Sequence, residues 1–170
     1  MSIFLKILVV VVLVLVVDIG RYFFIPDVDA LVKTNPIPTA FMQYRQEQWS
    51  ADGRDIALNH TWVPMSKISP NIAKAVLIGE DDGFYSHEGF DVKGMENAIE
   101  RSIKKGTLAG GSTISQQLSK NLYLSPSKNP VRKLKEAILT YRIEKTLSKR
   151  RILEIYLNVA EWGDGIFGVE

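Results

Sequence analysis

A mainly α-helical domain carried on one N-terminal membrane helix is the fold class the sequence predicts, on three observations. An unbroken apolar run spans Ile7 to Val17. Helix-capping residues recur down the rest of the chain, each followed by apolar residues at helical spacing. The length of 170 residues, with 46% hydrophobic and 24% charged, suits a single domain with a real core and no internal repeat.

The apolar run grows to a bilayer-spanning length when counted from Ile3 to Phe23, with Lys6 snorkelling at one end and Asp18 and Arg21 near the other. No small-x-small cleavage site follows it and the next residues are bulky aromatics, which favours an uncleaved anchor over a signal peptide. Lys6 marks the N-terminal side as cytoplasmic and sends the remainder across the membrane. Residues 1–25 are thus the cytoplasmic tip and anchor. Pro26, Pro36 and Pro38 interrupt residues 26–38, which read as a short extended connector, and 39–170 form the domain.

Within that domain Thr39 caps an amphipathic segment, AFMQYRQEQW, whose Phe41, Tyr44 and Trp49 suit either a lipid interface or a core. Asp52-Gly53 is a turn signal, and Ile56, Leu58 and Thr61 to Val63 suit a small hairpin. Ser69 and Pro70 open a helix to Gly79. Asp91 caps a helix to Lys105 that Gly106 ends; Ser112 starts one to about Tyr123; Asn129-Pro130 opens a long one to Leu147; Ser148 caps the last, to about Ala160.

Chemistry concentrates in Glu80 to Gly89, EDDGFYSHEG, which holds four carboxylates and one of the two histidines. Glu80 sits where a packed helix ends, and apolar neighbours and adjacent carboxylates would raise its pKa towards that of a general acid or base. Acidic clusters beside glycine are also commonly plain solvated loops. On the next helix Thr113, Gln116, Gln117 and Lys120 fall on one stripe, with Ile114, Leu118 and Leu122 facing away. Gly110 and Gly111 allow close backbone approach, and free amides beside the Ser112 and Thr113 hydroxyls would seat a phosphate.

Lys120 to Arg151 is strongly basic, so its partner is anionic. A net charge of only +2 on a membrane-anchored chain argues against nucleic acid and for lipid headgroups or a pyrophosphate. Arg132 and Lys133 lie four and three residues before Glu136, the spacing of a surface ion pair worth under about 1 kcal/mol. In KRRILEIYLNVA, apolar around most of its perimeter, Arg151, Glu154 and Asn158 are the only polar stripe, and Glu154 and Asn158 read as structural hydrogen-bonding residues.

Together these motifs resemble the peptidoglycan glycosyltransferases, most closely the monofunctional membrane-anchored members. The family's Glu-Asp-x-x-Phe-x-x-His-x-Gly motif is matched by Glu80, Asp81, Phe84, His87 and Gly89; its second by Gly111 to Ile114, Gln116 to Leu118, Lys120 and Asn121. Arg132, Lys133 and Glu136 match the third; Lys149, Ile152, Leu153, Glu154, Tyr156, Leu157 and Asn158 match the fourth. The resemblance covers roughly Asn35 onward, but the fifth motif, Arg-Ala-x-x-Tyr-Phe shortly after WGxGIFG, is missing, so the chain looks like a copy shortened at its C-terminus.

The resemblance implies a lysozyme-like helical lobe beside a smaller membrane-associated lobe, held on the periplasmic side of the inner membrane by a single-pass anchor. It implies polymerisation of a lipid-linked disaccharide-peptide precursor into β-1,4 glycan, with inversion and release of undecaprenyl pyrophosphate. Glu80 would be the general base, and Lys120, Lys128, Ser112 and Thr113 would hold the pyrophosphate, with Asp81, Gln116, Gln117, Arg132 and Lys133 completing the substrate-binding set. Glu136 would be a second essential carboxylate near the donor, a role that allows a divalent cation, Mg or Mn, on the pyrophosphate; no all-protein metal site is visible. His87 reads as an orienting hydrogen-bond partner. The implied partners are the precursor, the growing glycan and membrane lipid, with other cell-wall synthesis proteins allowed and nucleic acid excluded. A lysozyme-like glycan-cleaving enzyme and an inactive anchored fragment stay open beside this reading.

Overall fold

The structure is a computed structural model and describes residues 2–58, 60–106, 110–127 and 129–169. Seven α-helices are present among them: α1 Ile3–Gly20, α2 Ala40–Ala51, α3 Pro70–Glu80, α4 Val92–Lys105, α5 Ile114–Tyr123, α6 Pro130–Thr146 and α7 Lys149–Val159. Local capping chemistry sets most of the starts. The side chains of Thr39, Asp91, Thr113, Asn129 and Ser148 each accept a hydrogen bond from a first-turn amide, and Gly106 takes the left-handed conformation that ends α4.

The apolar run forms α1 and continues through a 3₁₀ turn, Arg21–Phe23, so that Ile3–Phe23 is long and apolar enough to cross a membrane and has none of its length buried. The connector is not simply extended. A 3₁₀ turn at Asp29–Val32 buries Val28 and Leu31 in the core, and Arg151 of α7 donates to the carbonyls of Leu31 and Thr34 and to Asn35 Oδ1.

Helix α5 is the centre of the domain, packed by α2, α6 and α7. Its Ile114 and Leu118 meet Leu139 and Ile143 of α6 and Ile152, Ile155 and Leu157 of α7 in one core cluster. Trp49 of α2 belongs to that core, so the choice between lipid and core falls to core for this residue. Helix α4 stands apart and leaves Val92, Ile99 and Ile103 exposed.

The hairpin expected around residues 56–63 is absent among the described residues. The antiparallel pair lies instead at β1 Glu161–Gly163 and β2 Ile166–Phe167, turning at Asp164-Gly165. Arg45 and Arg54 bind Asp164, and Arg45 also binds Glu161 at 2.9 Å, which ties the hairpin to α2. Asp52-Gly53 merely ends α2.

The loop from α3 to α4 is locked through Gly89. Its φ is +91°, and a Cβ there would stand 2.9 Å from Thr140 Cγ2 and Glu144 Cγ on α6. Its carbonyl accepts from the Thr113 hydroxyl at 2.7 Å. Gly89→Ala is expected to cost roughly 2–4 kcal/mol, the sum of backbone strain and overpacking. A urea midpoint that shifts correspondingly checks this; an unchanged midpoint contradicts it.

Candidate active site

Glu80 closes α3 and is exposed, contrary to the expectation of an apolar setting for its carboxylate. What holds it is a hydrogen-bonded line. Gln117 Nε2 donates to Glu80 Oε2 at 2.8 Å, and the Tyr156 hydroxyl donates to Gln117 Oε1 at 3.1 Å. With its oxygen thus engaged, the amide of Gln117 turns its NH₂ towards the carboxylate. Tyr156 is almost fully buried on α7, and burial, followed by the charges of Glu80 and Asp81, pushes its phenol well above the usual tyrosine range. It therefore remains a neutral donor at any working pH.

The neighbouring Asp81 faces inward. Its Oδ1 accepts from His87 Nε2 at 2.9 Å and its Oδ2 from the Ile114 amide, also at 2.9 Å. The Gly89 amide donates to His87 Nδ1 at 3.1 Å, which fixes the ring with its proton on Nε2. Asp81 thus places a carboxylate at the N-terminus of α5, where the helix dipole favours it. Phe84, fully buried, lies under the Lys149 ammonium at 4.5 Å.

The phosphate seat expected at the start of α5 is therefore already filled by the chain itself. Thr113 and Gln116 close a reciprocal capping box, the Thr113 amide donating to Gln116 Oε1 and the Gln116 amide to Thr113 Oγ1. Both side chains are buried, so of the predicted stripe only Gln117 and Lys120 reach the surface. Ser112 is exposed, and Gly111 packs against Ala98 of α4 as well as lining the open ground.

A cleft of about 200 Å³ opens beside Glu80, bounded by Asp82, Asp91, Arg101 and the irregular segment 110–113. Arg101 was not singled out by the sequence, because a lone arginine on a charged helix carries no pattern.

Farther along α5 lies the cationic end of the site. Glu136 is buried, its Oε2 accepting from Arg132 at 2.8 Å and its Oε1 paired with the Lys133 ammonium. This is an enclosed carboxylate rather than the expected surface pair, and removing it would strand two cations. Lys120 is half-buried, and no hydrogen bond reaches its ammonium among the described residues. Burial lowers its pKa first, with Arg132 and Lys133 adding to the fall while Glu136 and Glu80 oppose it. Lys120 thus stands within the fields of both carboxylates. Lys128 lies outside the described residues.

Behind the site, Asn158 is fully buried and saturated, accepting from the Val63 amide and donating to the carbonyls of Val63 and Glu154, while Glu154 pairs with Arg151 at 2.9 Å. Both side chains are thus engaged by partners within the fold. Among the described residues no group of three or more His, Cys, Asp or Glu side chains is arranged to hold a metal ion, and both Glu136 oxygens already face cations, so the residues present do not fit a resident divalent ion.

The family model described as Transglycosylase matches residues 49–170, a stretch that contains every one of these groups. The chain belongs to the transglycosylase family. A biosynthetic peptidoglycan transglycosylase of Aromatoleum aromaticum is 55% identical over 137 residues, covering 80% of this chain and 60% of that protein. The protein of the same name from Azoarcus is 54% identical over 137 residues, covering 80% and 59%. That of Janthinobacterium is 44% identical over 164 residues, covering 96% and 71%. The transglycosylase chain thus spans about 60% of the length of the first two relatives.

Proposed function

We propose that this transglycosylase chain carries the site of a peptidoglycan glycosyltransferase, which joins lipid-linked disaccharide-peptide units into β-1,4 glycan and releases undecaprenyl pyrophosphate. The observation that carries the reading is the pairing of an exposed carboxylate at Glu80, oriented by Gln117, with a cluster of three cations, Lys120, Arg132 and Lys133, of which Lys120 lies one turn along α5 from Gln117 within the field of Glu80. A base at one end and cations at the other are what a displacement from a pyrophosphate requires.

Glu80 Oε1, the oxygen that Gln117 does not hold, takes the proton of the acceptor sugar's 4-hydroxyl as that oxygen attacks the anomeric carbon. The bond to the pyrophosphate oxygen breaks on the opposite face, which inverts the centre. Charge develops on the leaving pyrophosphate, where the Lys120 ammonium and the Arg132 and Lys133 side chains meet it, with Ser112 and Arg101 lining the sugar-side cleft. Glu136 acts as a positioning residue that holds Arg132 and Lys133 in place. Asp81, Thr113, Gln116 and His87 support the loop and α5 from inside.

The same reading takes residues 1–25 as cytoplasmic tip and single-pass anchor in the inner membrane, 26–38 as connector and 39–170 as a periplasmic catalytic domain. The anchoring observation is the apolar helix Ile3–Phe23, with Lys6 at its inner end. Incubation with labelled lipid-linked precursor, and separately with finished glycan, tests the assignment. Polymer from the first supports it; cleavage of the second indicates a lytic enzyme; neither indicates an inactive fragment.

Lys120 gives a sharper check. Lys120→Met is expected to weaken binding of a pyrophosphate-bearing donor about tenfold to a hundredfold, the worth of a charge-assisted hydrogen bond, with little change for the acceptor. Because the folded pKa lies below the ordinary 10.5, the unfolded chain holds more protons in the window between the two values. Stability should therefore rise with pH through that window, and the rise should vanish in Lys120→Met. Donor affinity should fall over the same window as the ammonium is lost. Equal losses for donor and acceptor in a binding titration would make Lys120 a fold residue instead.

A further inference from the structure

The anchor helix does not hang from the domain; it is clasped by α6. Lys135 Nζ binds Asp18 at 2.6 Å and lies 5.1 Å over the Tyr22 ring. One helical turn pair farther along, Arg142 donates to the carbonyls of Tyr22 at 3.0 Å and Phe24 at 3.3 Å, the orphan acceptors at the end of the apolar helix. Lys135 and Arg142 are seven residues apart and share one face of α6, while Glu136, Leu139, Thr140 and Ile143 turn to the core.

Two features say that this clasp sits at membrane depth. The span Ile3–Phe23 has 21 residues, close to the roughly 20 needed to cross hydrocarbon, so Asp18 lies about five residues, or roughly 8 Å, inside its outer end. A carboxylate at that level needs partners; Arg21 of the anchor itself meets Asp18 Oδ1 at 3.2 Å, and Lys135 supplies the one that reaches across from α6 to Oδ2. Beside the clasp, Leu134 and Tyr141 of α6 and Phe23, Phe24 and Ile25 after the anchor are all exposed, an apolar and aromatic rim suited to the headgroup boundary.

We propose that Lys135 and Arg142 are positioning residues that make the anchor a rigid strut and fix the height of α6, and with it Arg132, Lys133 and Glu136, at the bilayer surface. This rests on reading Ile3–Phe23 as a membrane span and on the proposed transfer reaction. Among the described residues the clasp makes no hydrogen bond or ion pair with Glu80, Lys120 or Glu136, while Asp18 and Lys135 line one cavity with Arg132, which Glu136 holds. Its loss should therefore harm mainly the delivery of a membrane-held donor.

The chain has no cysteine, so Val10→Cys and Arg150→Cys can carry spin labels without background. In lipid nanodiscs the whole chain should give one narrow label-to-label distance, broadened in Lys135→Gln and in Arg142→Gln and restored in Lys135→Arg. Activity should divide the same way. Transfer from a vesicle-embedded long-chain donor should fall about fivefold to tenfold in Lys135→Gln, a misplacement effect expressed in KM, with transfer from a short-chain soluble donor held within about twofold. A broad distance in the native chain, or a narrow one that survives both glutamine variants, overturns the clasp irrespective of any activity. A broadened distance with equal losses on both donors overturns its positioning role.

Discussion

Glu80→Gln should abolish nearly all transfer, with turnover falling about a hundredfold to ten-thousandfold while the fold and donor affinity stay intact. Glutamine has the same shape and can still meet Gln117, but it cannot take the acceptor's proton. Because Glu80 is exposed and forms one side-chain hydrogen bond, thermal midpoint should scarcely move. Single-turnover kinetics on bound donor isolates the chemical step. Retention of more than a tenth of the parent rate would remove Glu80 from the role of base.

Glu136→Gln should show the opposite profile, with activity and stability falling together. The carboxylate is buried and faces Arg132 and Lys133, so the amide leaves two cations facing each other across a neutral group. Stability should drop by about 1–3 kcal/mol, below the full cost of a broken buried pair because Lys133 is half-exposed. Turnover should fall about a hundredfold, as two donors aimed at the leaving group lose their alignment. The field of Glu136 also opposes the fall of the Lys120 pKa, so its removal should lower that pKa further and move the alkaline limb of activity to lower pH. A variant with full activity and unchanged urea midpoint would show Glu136 to be dispensable.

These outcomes differ because the surroundings of the two carboxylates differ, and that contrast was only partly legible in the sequence. Helix starts were readable wherever one side chain caps its own first turn, as with Asp91, Asn129 and Ser148. The start of α5 shifted by one residue, since Thr113 rather than Ser112 completes the box with Gln116. Periodicity placed Thr113, Gln116, Gln117 and Lys120 on one stripe, but a period cannot say what a stripe faces. Its first half meets the loop at Gly89 and its second half meets solvent. Asp81 looked like a ligand group because its partner, the Ile114 amide, is 33 residues away and no local rule connects them.

The same limit hid the hairpin. Three Asp-Gly pairs stood in the chain, Asp52-Gly53, Asp82-Gly83 and Asp164-Gly165, and the one flanked by candidate strand residues was Asp52-Gly53. The decisive factor was tertiary: Arg45 and Arg54 of and after α2 hold Asp164, and Trp49 donates to it at 3.3 Å. Burial of Glu136 was invisible for a related reason, because Arg132-x-x-x-Glu136 has the spacing of any exposed helix pair. Tyr156 carried a usable signal that went unread: a tyrosine off the polar stripe of a helix apolar around most of its perimeter needs a partner for its hydroxyl, and Gln117 is that partner.

The anomeric configuration of the first bond formed decides most directly whether an exposed Glu80 acts as a base on the acceptor hydroxyl. A donor labelled with ¹³C at its anomeric carbon, turned over once by the protein in nanodiscs, should yield a single new glycosidic bond of configuration opposite to that of the donor, with one polyprenyl pyrophosphate released per bond. A product that keeps the donor's configuration would require a covalent glycosyl-enzyme and would contradict this account of the site.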